Sequence, residues 1–349
     1  MGTLSPNKSV DFAAGVYGVR NELSFKDFMA QPEFSQMAAD NKIISASVGS
    51  RLLNTKDNFA LCARGIGIYK DDVFLIFRGT TKANKRADWF TDGRIGLQMS
   101  LTGSLVHSGF NHTFTSMVGD LSDFLSQHSD AVNVHCIGHS LGGAVATLVA
   151  DWVKDKYSKK VKLYTYGCPR VGLGFTGFAN KVTINIGKEN IHRVYHETDA
   201  VPMVPVFPYV HAPQPGEGYY FPFSGKLISG KAHSILNYAR SVSGSEWATM
   251  GTSSSGIPSH ITLKQWLMSD ELVSISDARV WEKMNFVFRH LFQTFLAAVQ
   301  PAFIAGFTLA DQLALMLHRG ISISLDAADW VFHLIRKMMQ MLGMKLVET

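Results

Sequence analysis

Ser140 stands in the one stretch of the chain whose pattern names a chemistry. Residues 132–150 read VNVHCIGHSLGGAVATLVA: an apolar strand, then Gly138-His139-Ser140-Leu141-Gly142, then at once an apolar helix. This is G-x-S-x-G between strand and helix. The sharp turn holds a serine on a strained backbone, and the two small glycines let strand and helix come close. A serine hydroxyl becomes a useful nucleophile when a histidine removes its proton, and the helix N-terminus beneath it favours developing negative charge. The amide of Leu141, directly after the serine, is the expected first donor to an oxyanion.

A carboxylate and then a histidine should follow Ser140 in chain order. Tyr195-His196-Glu197-Thr198-Asp199-Ala200-Val201-Pro202 offers Glu197 and Asp199 just after a strand. His211, His233 and His260 come later still. His211 lies among prolines and reads as a loop residue. His233, in KAHSILNY, follows the strand-like GYYFPF and opens a helical pattern, and His260 lies in GIPSH. His139 and His196 read as packing residues, and Cys136 and Cys168 as core. No Cys/His spacing or carboxylate cluster suggests a metal, and no glycine-rich phosphate loop is seen, so no cofactor is expected.

Four blocks together resemble the class 3 lipases: FRGT at 77–80, VHSGF at 106–110, GHSLGGA at 138–144 and GCPRVG at 167–172. They cover roughly residues 55–240, in that family's order. This α/β-hydrolase family includes fungal triacylglycerol lipases and plant phospholipases A1. The resemblance implies Asp199 as the acid, through its Val-Pro pair, and Thr80 as the second oxyanion donor, with Gly79 permitting the turn and Arg78 bracing it. For the histidine it leaves two stretches standing. His-Ser-x-x-x-Tyr is similar to bacterial members and selects His233, the expected base, whereas the segment around His260 is similar to fungal members. Between Thr80 and Val106 the resemblance implies a lid. Here it reads TKANKRADWF at 81–90, with Lys82, Lys85 and Arg86 on a basic face and Trp89 and Phe90 on an apolar one.

The elements that must hold these residues are legible as alternating periods. Beta-type runs at 58–69, 73–77, 132–137, 161–166 and 191–196 alternate with helical patterns at 112–127 and 141–157. Such alternation argues for a mostly parallel α/β sheet; with the resemblance, the expected fold is an α/β-hydrolase, a mixed sheet flanked by helices, with an added C-terminal helical region. Residues 1–40 read as helical turns and loops. Six of the eleven prolines fall in 200–222, and 241–260 is a Gly/Ser-rich break. The expected organisation is a hydrolase domain over 1–245, a linker and transition segment over 246–284, and a helical region over 285–349. In that last part, 292–310 carries no formal charge and 325–346 is amphipathic and Met-rich. A helical hairpin packed on the hydrolase is the first reading of this tail, and a membrane-inserting or partner-binding module the second.

Composition excludes several other classes. The chain has 349 residues with 46% hydrophobic and 17% charged, and a formal net charge of +5. A disordered chain needs low hydrophobicity and high charge. Three cysteines, at 62, 136 and 168, suit core thiols better than a disulfide framework. No Lys/Arg run longer than Lys159-Lys160 and no aromatic ladder points to nucleic acid. The first twenty residues lack a charged start followed by an unbroken apolar run, so no Sec signal is expected.

The expected activity is therefore a serine hydrolase of lipid esters, lipase or phospholipase A in type. An esterase for soluble esters, and a membrane-perturbing protein dominated by its C-terminal helices, are the alternatives. Lipid or membrane is the expected partner. The combination also resembles bacterial antibacterial lipase effectors of the type VI secretion system. That resemblance implies synthesis in the cytoplasm, export by a specialised system, action on membranes, and an inhibitor or immunity protein.

Overall fold

A computed structural model describes residues 2–20, 22–50, 53–80, 96–174, 177–214, 218–223, 225, 227–252, 260–296 and 325–341. The lid segment 81–90, and 297–310 of the uncharged tail stretch, lie outside the described residues.

The central sheet has seven strands in the order β1-β2-β3-β6-β7-β9-β11 among the described residues. These are β1 (Asn41–Ser50), β2 (Leu53–Arg64), β3 (Asp72–Phe77), β6 (Asn133–His139), β7 (Lys160–Tyr166), β9 (Ile191–His196) and β11 (Tyr219–Phe221). β1, β2 and β3 pair antiparallel, and every pairing from β3 to β11 is parallel. Both β3 and β6 are buried along their whole length, as parallel strands covered on two faces must be.

Successive side chains on a strand point to opposite faces, and the core divides accordingly. Val73, Leu75 and Phe77 join one apolar cluster; Phe74 and Ile76 join another. The first is closed by α3 (Ser108–Thr115), α4 (Val118–Gln127), α5 (Leu141–Tyr157) and α6 (Phe178–Ile186). The second is closed by α1 (Pro6–Gly15), α2 (Glu22–Met29) and α7 (Ile235–Val242). α1 starts where capping chemistry requires: Lys8 N–H donates to Ser5 Oγ at 3.2 Å, and Pro6 occupies the first turn. A second sheet, β10-β8-β5-β4, comprises Leu97–Met99 (β4), Leu105–His107 (β5), Gly172–Leu173 (β8) and Tyr209–Val210 (β10).

Two local readings are corrected. The run expected as one helix over 112–127 is two, because Ser116 ends the first: its hydroxyl donates to Thr113 O at 2.8 Å and accepts from Ser47 N–H of β1 at 3.0 Å. The strand expected over 58–69 runs instead over Leu53–Arg64 and pairs with β1, a partner the periodicity did not reveal. The linker and transition segment 246–284 includes α8 (His260–Met268) and the start of α9 (Ala278–Leu296). Leu263, Trp266 and Leu267 bury the inner face of α8 with Val280, Met284 and Val287 of α9, and Trp330 and Leu334 of α10 (Leu325–Met341). Val206 and Phe207 belong to the same cluster, and Phe207 N–H donates to Asn285 Oδ1 at 2.8 Å. The C-terminal helices thus pack against the loop that follows Asp199. Among the described residues no helix is long and apolar enough to cross a membrane. Cys62, Cys136 and Cys168 are buried and unbridged, and burial pushes the Cys168 thiol up to about 12.

His107 gives the fold a pH dependence. Its Nδ1 accepts from Gly109 N–H at 3.1 Å and Phe110 N–H at 3.4 Å, capping α3. Burial holds its pKa down at about 4, against an ordinary 6.5. The unfolded chain therefore takes up this proton below 6.5, before the folded chain does. Stability present above 6.5 is lost as the pH falls towards 4, at up to about 1.4 kcal/mol per pH unit. His107→Asn keeps a capping acceptor without titrating. Thermal unfolding at about pH 7 and about pH 4.5 should show the variant losing about 2 kcal/mol less than wild type over that interval. An equal loss in both proteins would remove His107 from the account.

Candidate active site

β6 ends at His139 and α5 begins at Leu141, so Ser140 alone makes the turn, at φ 59° and ψ −130°. A non-glycine residue held at positive φ is strained, and such strain persists only where the surroundings over-determine it. They do so here. A Cβ on Gly138 would meet Gly142 O at 2.3 Å, and one on Gly142 would meet Phe77 O at 2.2 Å. The G-x-S-x-G glycines are what allow β6, α5 and the end of β3 to cross at this point.

Ser140 Oγ lies 2.8 Å from His233 Nε2, and His233 Nδ1 lies 2.8 Å from Asp199 Oδ2. Ser140 and His233 are buried and Asp199 is fully so. The Asp199 carboxylate is satisfied on both oxygens: Val201 N–H donates to Oδ1 at 2.9 Å, and Tyr238 Oη–H donates to Oδ2 at 2.7 Å. Burial, with the Asp199 charge beside it, raises the Tyr238 pKa well above the usual 10, which keeps the hydroxyl protonated and donating. Tyr238 went unread in the sequence, although the His-Ser-x-x-x-Tyr spacing carries it on α7 five residues after His233. His196 steadies the same corner. Its ring stacks on Tyr238 at 4.0 Å, its Nδ1 lies 2.6 Å from Ala232 O, and its Nε2 lies 2.9 Å from Ser241 Oγ.

The rival residues lie elsewhere. Glu197 faces Tyr220, whose hydroxyl pKa is pushed up to about 12 by burial and by that carboxylate. His211 Nε2 lies 2.8 Å from Pro202 O, a contact internal to the proline-rich loop. His260 opens α8, whose buried face belongs to the C-terminal cluster.

Thr80 follows β3 in a turn braced by buried Arg78, which donates from Nε to Asn58 O at 2.5 Å and from Nη1 to Gly79 O at 2.9 Å, and pairs through Nη2 with Asp57 at 2.7 Å. A Cβ on Gly79 would lie 2.8 Å from Ser140 Cβ, so this turn abuts the serine. Leu141 opens α5 directly after it. Among the described residues no group of three or more His, Cys, Asp or Glu side chains is arranged to hold a metal ion.

A mixed sheet with a strained serine between strand and helix, and an acid and a histidine joined to it in the order Ser140, Asp199, His233, is the architecture of an α/β-hydrolase. Within that class, residues 74–209 match the family described as lipase (class 3). The chain is 35% identical over 160 residues to the secreted mono- and diacylglycerol lipase 1 of Fusarium solani, covering 42% of this chain and 46% of that one. It is 42% identical over 71 residues to toxin TseL of Vibrio cholerae serotype O1, covering 20% of this chain and 11% of the toxin. Among solved structures, a lipase from Rhizopus microsporus var. chinensis superimposes with a TM-score of 0.44 at 27% identity, over 62% of this chain and 74% of that one. The chain spans less than half the length of either curated relative.

Proposed function

We propose that the protein is a serine hydrolase of lipid carboxylic esters, with Ser140 as nucleophile, His233 as general base and acid, and Asp199 as the group that orients His233 and stabilises its cation. The observation that carries this reading is the unbroken Ser140–His233–Asp199 hydrogen-bond chain at a strained elbow. As Ser140 Oγ bonds to the ester carbonyl carbon, its proton passes to His233 Nε2. The carbonyl π electrons move to oxygen, where the amides of Leu141 and Thr80 are proposed to receive them. Collapse breaks the ester C–O bond, and the alcohol leaves with the proton from Nε2. Water then gives a proton to Nε2 and its oxygen to the acyl carbon, and the carboxylic acid is released with Ser140 restored.

The lipid assignment is tested with p-nitrophenyl esters from acetate to palmitate, each below and above micelle formation. kcat/KM should rise with chain length and rise again on aggregated substrate. A maximum at acetate, indifferent to micelles, would transfer the protein to soluble esters. Vesicles of phosphatidylcholine and emulsions of diacylglycerol then separate phospholipase from glyceride lipase.

The proposed division is a hydrolase unit over 1–245 followed by a helical region that packs on the loop after Asp199. A second reading, favoured by the similarity to toxin TseL, is that the hydrolase serves as an antibacterial toxin countered by an immunity protein and exported by a specialised system. Directed to the periplasm of a susceptible bacterium, the wild type should arrest growth and Ser140→Ala should not. Growth unaffected by the wild type would end that reading.

A further inference from the structure

The hydrolase mechanism above uses neither Tyr17 nor His139, yet both lie at its centre. Tyr17 belongs to the 3-10 turn Val16–Arg20 after α1, far outside the segment that matches the lipase family. Its Oη accepts from Gly79 N–H at 3.0 Å and lies 2.7 Å from His139 Nδ1. His139 Nε2 lies 2.9 Å from the backbone carbonyl oxygen of His233.

The proton positions follow from the partners. A carbonyl can only accept, so His139 Nε2 carries the proton. In a neutral imidazole the other nitrogen is then an acceptor, so Tyr17 Oη–H donates to Nδ1 and keeps a lone pair for Gly79 N–H. The sequence of donors runs from Gly79 N–H to Tyr17, from Tyr17 to His139, and from His139 to His233 C=O. It joins the turn that carries Thr80, the elbow that carries Ser140 and the loop that carries the base. The fit at Gly79 is close: a Cβ there would lie 2.6 Å from Tyr17 Oη, 2.8 Å from Ser140 Cβ and 2.9 Å from His139 O. Gly79 is held at its other peptide too, since Arg78 Nη1 donates to its carbonyl oxygen.

Resting on the hydrolase reading, we infer that Tyr17 and His139 are positioning residues for ester hydrolysis: they fix the spacing between the oxyanion turn, the nucleophile and the base. The N-terminal segment thereby completes the site rather than merely covering the sheet. Neither residue touches the reacting atoms. Their effect is on the distance between groups that do, and a displacement of about 1 Å among such groups can lower turnover about 100-fold.

The test is steady-state hydrolysis of a soluble p-nitrophenyl ester by the full chain, with each preparation titrated by a fluorophosphonate so that kcat is expressed per reactive Ser140. Tyr17→Phe removes one oxygen and leaves the ring. Its kcat per titrated site should fall about 10- to 100-fold with KM within about twofold. A variant that was only less stable would lose titratable sites and keep its kcat per site. His139→Gln, which can still donate to the His233 carbonyl, should retain at least about fivefold more kcat per site than His139→Leu. An unchanged kcat per site in Tyr17→Phe, or a loss carried by KM alone, or equal His139 variants, would overturn the proposal. Wild type that neither titrates nor turns over would overturn the hydrolase reading itself, a separate result.

Discussion

Ser140→Ala should abolish ester hydrolysis, with kcat falling by about 10⁶ as is typical when a triad nucleophile is lost, while the thermal unfolding midpoint stays near that of wild type. The size of the effect follows from the chemistry: Ser140 Oγ is the hydroxyl that lies 2.8 Å from His233 Nε2, and no acyl-enzyme can form on it once it is removed. The fold should be spared because the elbow is imposed by crossings at Gly138 and Gly142 and by β6 and α5, none of which uses the hydroxyl. Alanine keeps the Cβ strain at φ 59° and adds none. Release of p-nitrophenol by the variant and by wild type at equal concentration measures the loss. Activity within tenfold of wild type would remove Ser140 from the mechanism.

The second large effect separates two histidines. His233→Ala should reduce turnover nearly as far as Ser140→Ala, because the two residues act as one unit and removing either disables the same step. His260→Ala should hydrolyse esters at a rate close to wild type. The contrast rests on position: His233 lies between Ser140 Oγ and Asp199 Oδ2, while His260 opens a helix whose packing partners are Val280, Met284 and Trp330. Both variants need a circular dichroism spectrum matching wild type for the comparison to count. An inactive His260→Ala beside an active His233→Ala would reverse the assignment and make the C-terminal helices part of the catalytic unit.

Much of this site is written in short-range patterns. G-x-S-x-G between an apolar strand and an apolar helix reads as a tight crossing, and at 138 the crowding that demands glycine comes from Gly142 within the motif itself, while at 142 it comes from Phe77 at the end of β3. The same is true of the inner strands: the apolar run over 132–137 reads as a strand, and Asn133–His139 is buried along its whole length inside the covered sheet. The strands β3, β6, β7 and β9 and the helix α5 were readable for the same reason, whereas α6 between β7 and β9 was not.

What is written over long separations was not readable. Two histidines in plausible stretches compete for Ser140, and nothing within either stretch decides between them; the pairing joins residues 93 positions apart and depends on where α7 crosses the sheet end. The β1–β2 hairpin escaped because partly exposed strands such as β1, with three serines in ten residues, show weak alternation, and their stability comes from the partner strand. Helix α8 was hidden because its Trp266 and Leu267 acquire meaning only against α9 and α10. Tyr17 is the clearest case. A tyrosine after an N-terminal helix carries no signal of catalysis, and its hydroxyl matters only because packing of α1 on β3 and β6 carries it to Gly79 and His139, residues 62 and 122 positions away. Local periodicity and turn chemistry thus determine which elements form and where Ser140 stands. The pairing of Ser140 with His233, the Tyr238 hydrogen bond on Asp199 and the tie through Tyr17 are decided by tertiary packing, because each is a contact between groups whose neighbours in the chain do not constrain one another.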